Sequence, residues 1–165
     1  YKNILLKQED KNMKIMKREM DFLGREMPVK VFDELDMRKV KDIIYCDHTA
    51  EMIANTGDIF IADWKNANGS SDFAIRYMLD IKKGILTISG DIGSCIANWY
   101  HEVTPAELKT LMEDAEYFVS KIQCSSRKVY HTTCGPHDLI DTIKIDYSIY
   151  LWTIGYQMLA EQLCL

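Results

Sequence analysis

At 165 residues and 47% hydrophobic content the chain can bury one compact core and falls short of what two domains would need. A formal charge of −5, from 25 acidic against 20 basic residues, excludes a global basic footprint for direct nucleic-acid binding, and no run approaches the roughly 18 apolar residues of a membrane span. Five scattered cysteines, an odd number, exclude a secreted disulfide framework, and the start of the sequence lacks the order of a signal peptide. The expectation is a single α+β domain over residues 1–165, cytosolic, with reduced thiols.

In chain order, residues 8–27 carry Met13, Met16, Met20, Leu23 and Met27 at spacings of 3, 4, 3 and 4. That period predicts a helix with one apolar stripe, ended by Pro28 and followed by an extended link over residues 29–32. A methionine-rich face packs adaptably. Its first expected partner is the chain's own sheet; the alternatives are another copy of the chain, a homo-oligomer through Met13–Met27, or a different partner.

Residues 36–55 resume helical spacing through Met37, Val40, Ile44, Met52 and Ile53, interrupted at Cys46-Asp47-His48 and closed by Asn55-Thr56-Gly57. Residues 59–64, IFIADW, read as a strand that enters a hairpin through the Asn-Gly turn signal at Asn68-Gly69. The hairpin is the clearest signal in the chain. Phe73, Ile75, Tyr77, Leu79 and Ile81 alternate with Ala74, Arg76, Met78 and Asp80, the period of a half-buried strand with its first set toward the core. Lys82-Lys83-Gly84 supplies the turn, and residues 85–89 return as a second strand. The predicted sheet therefore has three antiparallel strands over about 58–91, packed against several helices.

Residues 94–100 fit either a short helix capped by Ser94 or an irregular segment. Thr104-Pro105-Ala106-Glu107 combines a capping box with proline at the first helical position, and apolar spacing from Leu108 to Ile122 predicts four helical turns. Residues 124–138 lack an apolar period and contain Gly135-Pro136, so they read as a loop. Residues 140–147 fit both periods, and from about Tyr147 to Leu163 length decides for a helix, in which Gly155 alone is unfavourable, by about 1 kcal/mol relative to alanine.

The candidate chemistry is sparse. His131, Cys134 and His137 offer three metal-capable side chains in seven residues, and Cys46 or His48 can supply a fourth ligand, but no CxxC pair supports zinc. Gly90-Asp91-Ile92-Gly93-Ser94 follows a strand as phosphate loops do, yet it lacks the Lys-Ser/Thr ending, and Asp91 repels phosphate. A turn explains it better. Cys95 or Cys134 with His101 makes a nucleophile pair on paper without an activating third group. Trp64, Trp99 and Trp152 are expected in the core and not as stacking platforms.

Ile88-Ser89-Gly90-Asp91-Ile92-Gly93-Ser94, followed by Trp99-Tyr100, Tyr117-Phe118, Lys121 and Cys124, resembles a loose group of uncharacterised proteins encoded by phages and prophages of Firmicutes. The likeness covers residues 86–125, with an echo over 151–162. It implies a phage accessory protein, acting in the cytoplasm of an infected or lysogenic host, that blocks a bacterial defence system such as CRISPR–Cas, an anti-CRISPR-like inhibitor. No catalytic residue and no cofactor carry over from it.

Two readings follow. One is a non-enzymatic inhibitor that binds a nucleic-acid-handling host protein through exposed acids, among them Glu9, Asp10, Glu113, Asp114 and Glu116, with no membrane and no direct nucleic-acid contact. The other is a small zinc-dependent or hydrolytic enzyme built on the His131-Cys134-His137 loop.

Overall fold

The computed structural model describes residues 15–20, 26–30, 40–127, 129–133, 142–145 and 147–165. Its centre is a six-stranded antiparallel meander: β3 (His48–Asn55), β4 (Ile59–Asn66), β5 (Ile75–Asp80), β6 (Ile85–Gly90), β7 (Cys95–Asn98) and β8 (Ile122–Ser125), in that order across the sheet. Two antiparallel hairpins stand apart from it, β1 (Ile15–Met20) with β2 (Glu26–Lys30), and β9 (Tyr130–Thr133) with β10 (Thr142–Ile145). Helices α1 (Pro105–Glu113), α2 (Ala115–Lys121) and α3 (Tyr147–Gln162), with a π-helical turn at Val40–Ile44, complete the α+β architecture.

The predicted hairpin is β5–β6, with Ile75, Tyr77 and Leu79 buried and Arg76 and Met78 exposed. Strand pairing begins at Ile75 and not at Phe73, which is half-buried and bends the chain into β5 at a positive φ of 55°. The three strands expected over 58–91 are β4 to β6, the middle of the sheet. Its core face is laid out in cross-strand rows: Phe60, Leu79, Leu86 and Ala97 in one, Ala62, Tyr77, Ile88 and Cys95 in the next, all buried. Each row mixes large side chains with small ones, which lets a helix settle between the large ones.

That helix is α3. Tyr77 donates its hydroxyl to the Trp152 carbonyl (2.7 Å) and Tyr45 donates to the next carbonyl back, Leu151 (2.9 Å), so two phenols pin consecutive carbonyls of one turn of α3. Burial holds both phenols strongly toward their neutral, donating form. Gly155 faces the sheet at the point of closest approach, where a Cβ would stand 2.7 Å from Tyr77 Oη, 3.2 Å from Ile75 Cδ1 and 3.3 Å from Trp64 Cδ1. Continuous burial from Leu151 to Tyr156 follows from α3 being covered on more than one side. On its other flank Tyr156 donates to the Pro105 carbonyl (2.8 Å) and Gln157 to the Lys109 carbonyl (2.6 Å), fixing α1.

Several expectations are corrected. Of the stripe Met13–Met27, Met13 and Leu23 lie outside the described residues, and the described part is not helical but the β1–β2 hairpin, with Met27 opposite Glu19 and Met20 opposite Glu26. The helical face proposed for oligomerisation is therefore not formed. Pro28 sits in a two-stranded ribbon, where each strand has a free edge and a missing N–H is tolerated.

Of the helix expected over 36–55, residues 36–39 lie outside the described residues and the rest is a single π-helical turn and then β3, while Asn55-Thr56-Gly57 is the β3–β4 turn, closed by Thr56 N–H to the Ile59 carbonyl (3.0 Å). β3 is an edge strand with mostly exposed positions, so it carries no clean alternation. Within residues 94–100 the chain forms β7 (Cys95–Asn98), neither helix nor irregular, and the four-turn helix breaks into α1 and α2 at Asp114, with Ile122 and Cys124 leaving for β8.

The capping box forms as expected: Glu107 N–H donates to Thr104 Oγ1 (3.2 Å) and Thr104 N–H to Glu107 Oε2 (2.9 Å). α3 matches the expected helix, but Gly155 is there for contact distance and not merely tolerated. Gly155→Ala is expected to lower stability by about 1–3 kcal/mol, because overpacking outweighs the gain of roughly 1 kcal/mol in helix propensity. A denaturant midpoint that stays put or rises in the variant would show that the helix can lift off without loss.

Candidate functional site

A cleft on the described surface brings several elements together around a histidine. It lies at the β3 edge of the sheet, has a volume of about 100 Å³, and is lined by Ile43 and Ile44 from the π-helical turn, Asp47 and His48 at the start of β3, Asn66 and Asn68 after β4, and Asp72 and Phe73 before β5. That volume is below the roughly 300 Å³ of a typical small-molecule site. Its wall is a loop closed on itself: Asn68 N–H donates to Asn66 Oδ1 (3.0 Å), Ser70 N–H to Asn68 Oδ1 (2.8 Å) and Asp72 N–H to Ser70 Oγ (3.2 Å). Alternating short polar side chains produce this ladder, each capping the backbone two residues on.

His48 forms the floor. The ring is 4% exposed, meets Tyr45 edge-on at 4.9 Å and lies tilted against Trp64 at 5.7 Å. Nε2 is 3.3 Å from the Asp72 carbonyl, and Nδ1 has no hydrogen-bond partner among the described residues. Burial pulls its pKa below the usual histidine range, against the opposing pull of the Asp72 and Phe73 carbonyls and the Asp47 carboxylate. The edge beside it is closed by α3: Ala50 N–H donates to Gln162 Oε1 (2.9 Å) and Gln162 Nε2 donates to the His48 carbonyl (3.3 Å).

Of the metal ligands considered, Cys46 and His48 share this cleft, but Cys46 is exposed with its thiol directed at the Ile43 carbonyl (3.5 Å). His131 lies in β9, while Cys134 and His137 fall outside the described residues. Among the described residues no three His, Cys, Asp or Glu side chains converge as a metal site. Cys95 is buried in β7 with its thiol pKa raised to about 12 by desolvation, so it is no nucleophile there, and His101 instead turns its Nδ1 to the Glu102 carbonyl (2.8 Å).

The loop 90–94 is a β6–β7 turn. Asp91 binds back, its N–H donating to the Ala74 carbonyl (2.9 Å) and its carboxylate accepting from Phe73 N–H (3.1 Å), and a Cβ on Gly90 would stand 2.0 Å from the Ala74 oxygen. Its glycine serves that close approach. Trp64 and Trp152 are fully buried and Trp99 stacks on Phe118 at 6.2 Å, so all three are core residues.

The acidic residues Glu113, Asp114 and Glu116 are brought together at the α1–α2 junction, all exposed. Their roles differ. Asp114 caps α2, its Oδ1 accepting from Tyr117 N–H (3.0 Å), whereas no ion pair or hydrogen bond among the described residues engages the carboxylates of Glu113 and Glu116. Over 101–121 the chain has five acids, Glu102, Glu107, Glu113, Asp114 and Glu116, against Lys109 and Lys121. By contrast the sheet neutralises itself: Arg76 grips Asp63 through two nitrogens (2.6 and 2.7 Å), Lys65 pairs with Glu51, and Lys82 with Asp58 (2.8 Å).

Among the described residues no helix is long and apolar enough to cross a membrane. No known protein family, no curated protein and no solved structure matches the chain.

The division of labour at the junction is testable by stability alone. Asp114→Ala is expected to cost about 1 kcal/mol by removing the α2 cap. Glu113→Ala should stay within about 0.5 kcal/mol. Equal thermal shifts in the two variants would mean that Asp114 does not cap.

Proposed function

We propose that this chain is a non-enzymatic inhibitor that works by protein–protein contact, laying an acidic surface into a basic groove of a nucleic-acid-handling host protein. The resemblance over residues 86–125 adds the class of partner, a bacterial defence effector such as a CRISPR–Cas enzyme, encountered in the cytoplasm of an infected or lysogenic host. The observation that supports this reading is the charge distribution: residues 101–121 hold an excess of three acids, while Glu51, Asp58 and Asp63, in and beside the sheet, are neutralised by basic partners. Surface carboxylates with no ion-pair partner among the described residues, Glu113 and Glu116, are able to exchange their counterions for the cations of a partner, the same release that drives DNA into such a groove.

Asp114 contributes to this surface, but its cap makes it a poor probe, so the test uses the other two carboxylates. Glu113→Lys with Glu116→Lys should lower the association rate with the partner and flatten its salt dependence, while stability changes by less than about 0.5 kcal/mol. A salt titration of binding by the native chain and the double variant decides. The same affinity and the same salt slope in both would remove this surface as the contact site.

A further inference from the structure

We infer that His48 is a pH-operated latch that holds the 66–73 loop against the sheet when its ring is neutral and releases it when the ring is protonated. The geometry carries this. A buried imidazole with Nε2 at hydrogen-bond distance from the Asp72 carbonyl needs its proton on Nε2 to make that bond, which leaves Nδ1 as the bare nitrogen. A second proton on Nδ1 would create an N–H with no acceptor among the described residues, inside the aromatic corner formed by Tyr45 and Trp64. A buried charge with an unmet donor is relieved by exposure to water. The way out is the cleft, whose covering loop is held by its own short side chains, by Ala67 N–H on the Asp47 carbonyl (2.9 Å) and Phe73 N–H on the Asp91 carboxylate (3.1 Å) at its two ends, and by His48 between them.

The titratable and charged groups around the ring are Tyr45, Cys46 and Asp47 from the segment entering β3 and Asp72 from the loop. β4 contributes Trp64 and Asn66, and α3 contributes the Gln162 amide on the His48 carbonyl; none of these titrates in the relevant range. The Asp72 and Phe73 carbonyls and the Asp47 carboxylate favour protonation, and burial outweighs them. The sign follows. With its pKa lower in the closed form than in the open one, His48 binds more protons when the latch is open. Closure is fully favoured above about pH 6.5, the ordinary histidine value, and weakens as pH falls toward the closed-form pKa. In that window the opening equilibrium rises about tenfold per pH unit.

The experiment is amide exchange and histidine ring resonances followed by NMR from pH 7.5 to 5. The expected result is a His48 midpoint below 6.5, with protection at the Asp72 and Ala74 amides falling in step while Tyr77 and Leu79 stay protected. A His48 midpoint at or above 6.5, or loss at Asp72 and Ala74 only together with β5, would overturn the latch. His48→Gln keeps an N–H for the Asp72 carbonyl but cannot titrate, so its loop protection should be independent of pH over this range. The same pH-dependent loss in that variant would equally overturn it. Should that variant fail to fold, the native titration alone decides.

Discussion

The structure depends on how closely α3 can approach the sheet. Tyr77 stands at the middle of the core face, fully buried, and its hydroxyl must be satisfied there. It is satisfied by a helix carbonyl, at Trp152, and a helix can bring that carbonyl within 2.7 Å only if the residue lying over the phenol has no side chain. Gly155 is that residue. Once α3 is seated, its Leu151 carbonyl takes the Tyr45 hydroxyl beside the π-helical turn and its Tyr156, Gln157 and Gln162 reach α1 and β3, so the edge strand and the cleft beside it inherit their position from the same rod.

The middle of the sheet was legible because both of its faces report the same thing: Ile75, Tyr77 and Leu79 go to the core, and Arg76 and Met78 go to water. The Thr104-Pro105-Ala106-Glu107 box was legible because capping is local chemistry that tertiary packing does not override. β3 was not legible. Met52 and Ile53 are both exposed on an edge strand, and their adjacency with Ile44 eight residues earlier imitates a helical period. Asn55-Thr56-Gly57 closes either a helix or a hairpin, and the strand that follows it is the evidence that should have decided for the hairpin. Met13 to Met27 failed for a related reason, since spacing counted over charged residues cannot distinguish a stripe from a coincidence, and Gly24 within it already argued against a helix.

The candidate site was legible only as chemistry without place. Glu113, Asp114 and Glu116 read as exposed acids along one continuous helix, whereas the chain breaks between α1 and α2 at Asp114 and uses that residue to restart the helix. An aspartate preceding Ala-Glu-Tyr is a cap signal, and it was masked by the apolar period running through it. His48 was weighed as a metal ligand, and the structure makes it a buried part of the β3 edge. No sequence signal announces such a role, because the partners of its ring, Tyr45, Trp64 and Asp72, are spread over 28 positions and joined only by the sheet register. The proposed inhibitor and the latch thus occupy separate parts of the same frame, one a matter of surface charge, the other of a buried ring.

The central claim is that Gly155 and Tyr77 form one steric and hydrogen-bonding contact. A double-mutant cycle tests it directly, with urea stabilities of the native chain, Gly155→Ala, Tyr77→Phe and the double variant. If the phenol oxygen is what the added methyl meets, Gly155→Ala must be less destabilising in the Tyr77→Phe background, by about 0.5 kcal/mol or more. Equal effects of Gly155→Ala in the two backgrounds would contradict the account, and would mean that α3 is positioned by something other than this contact.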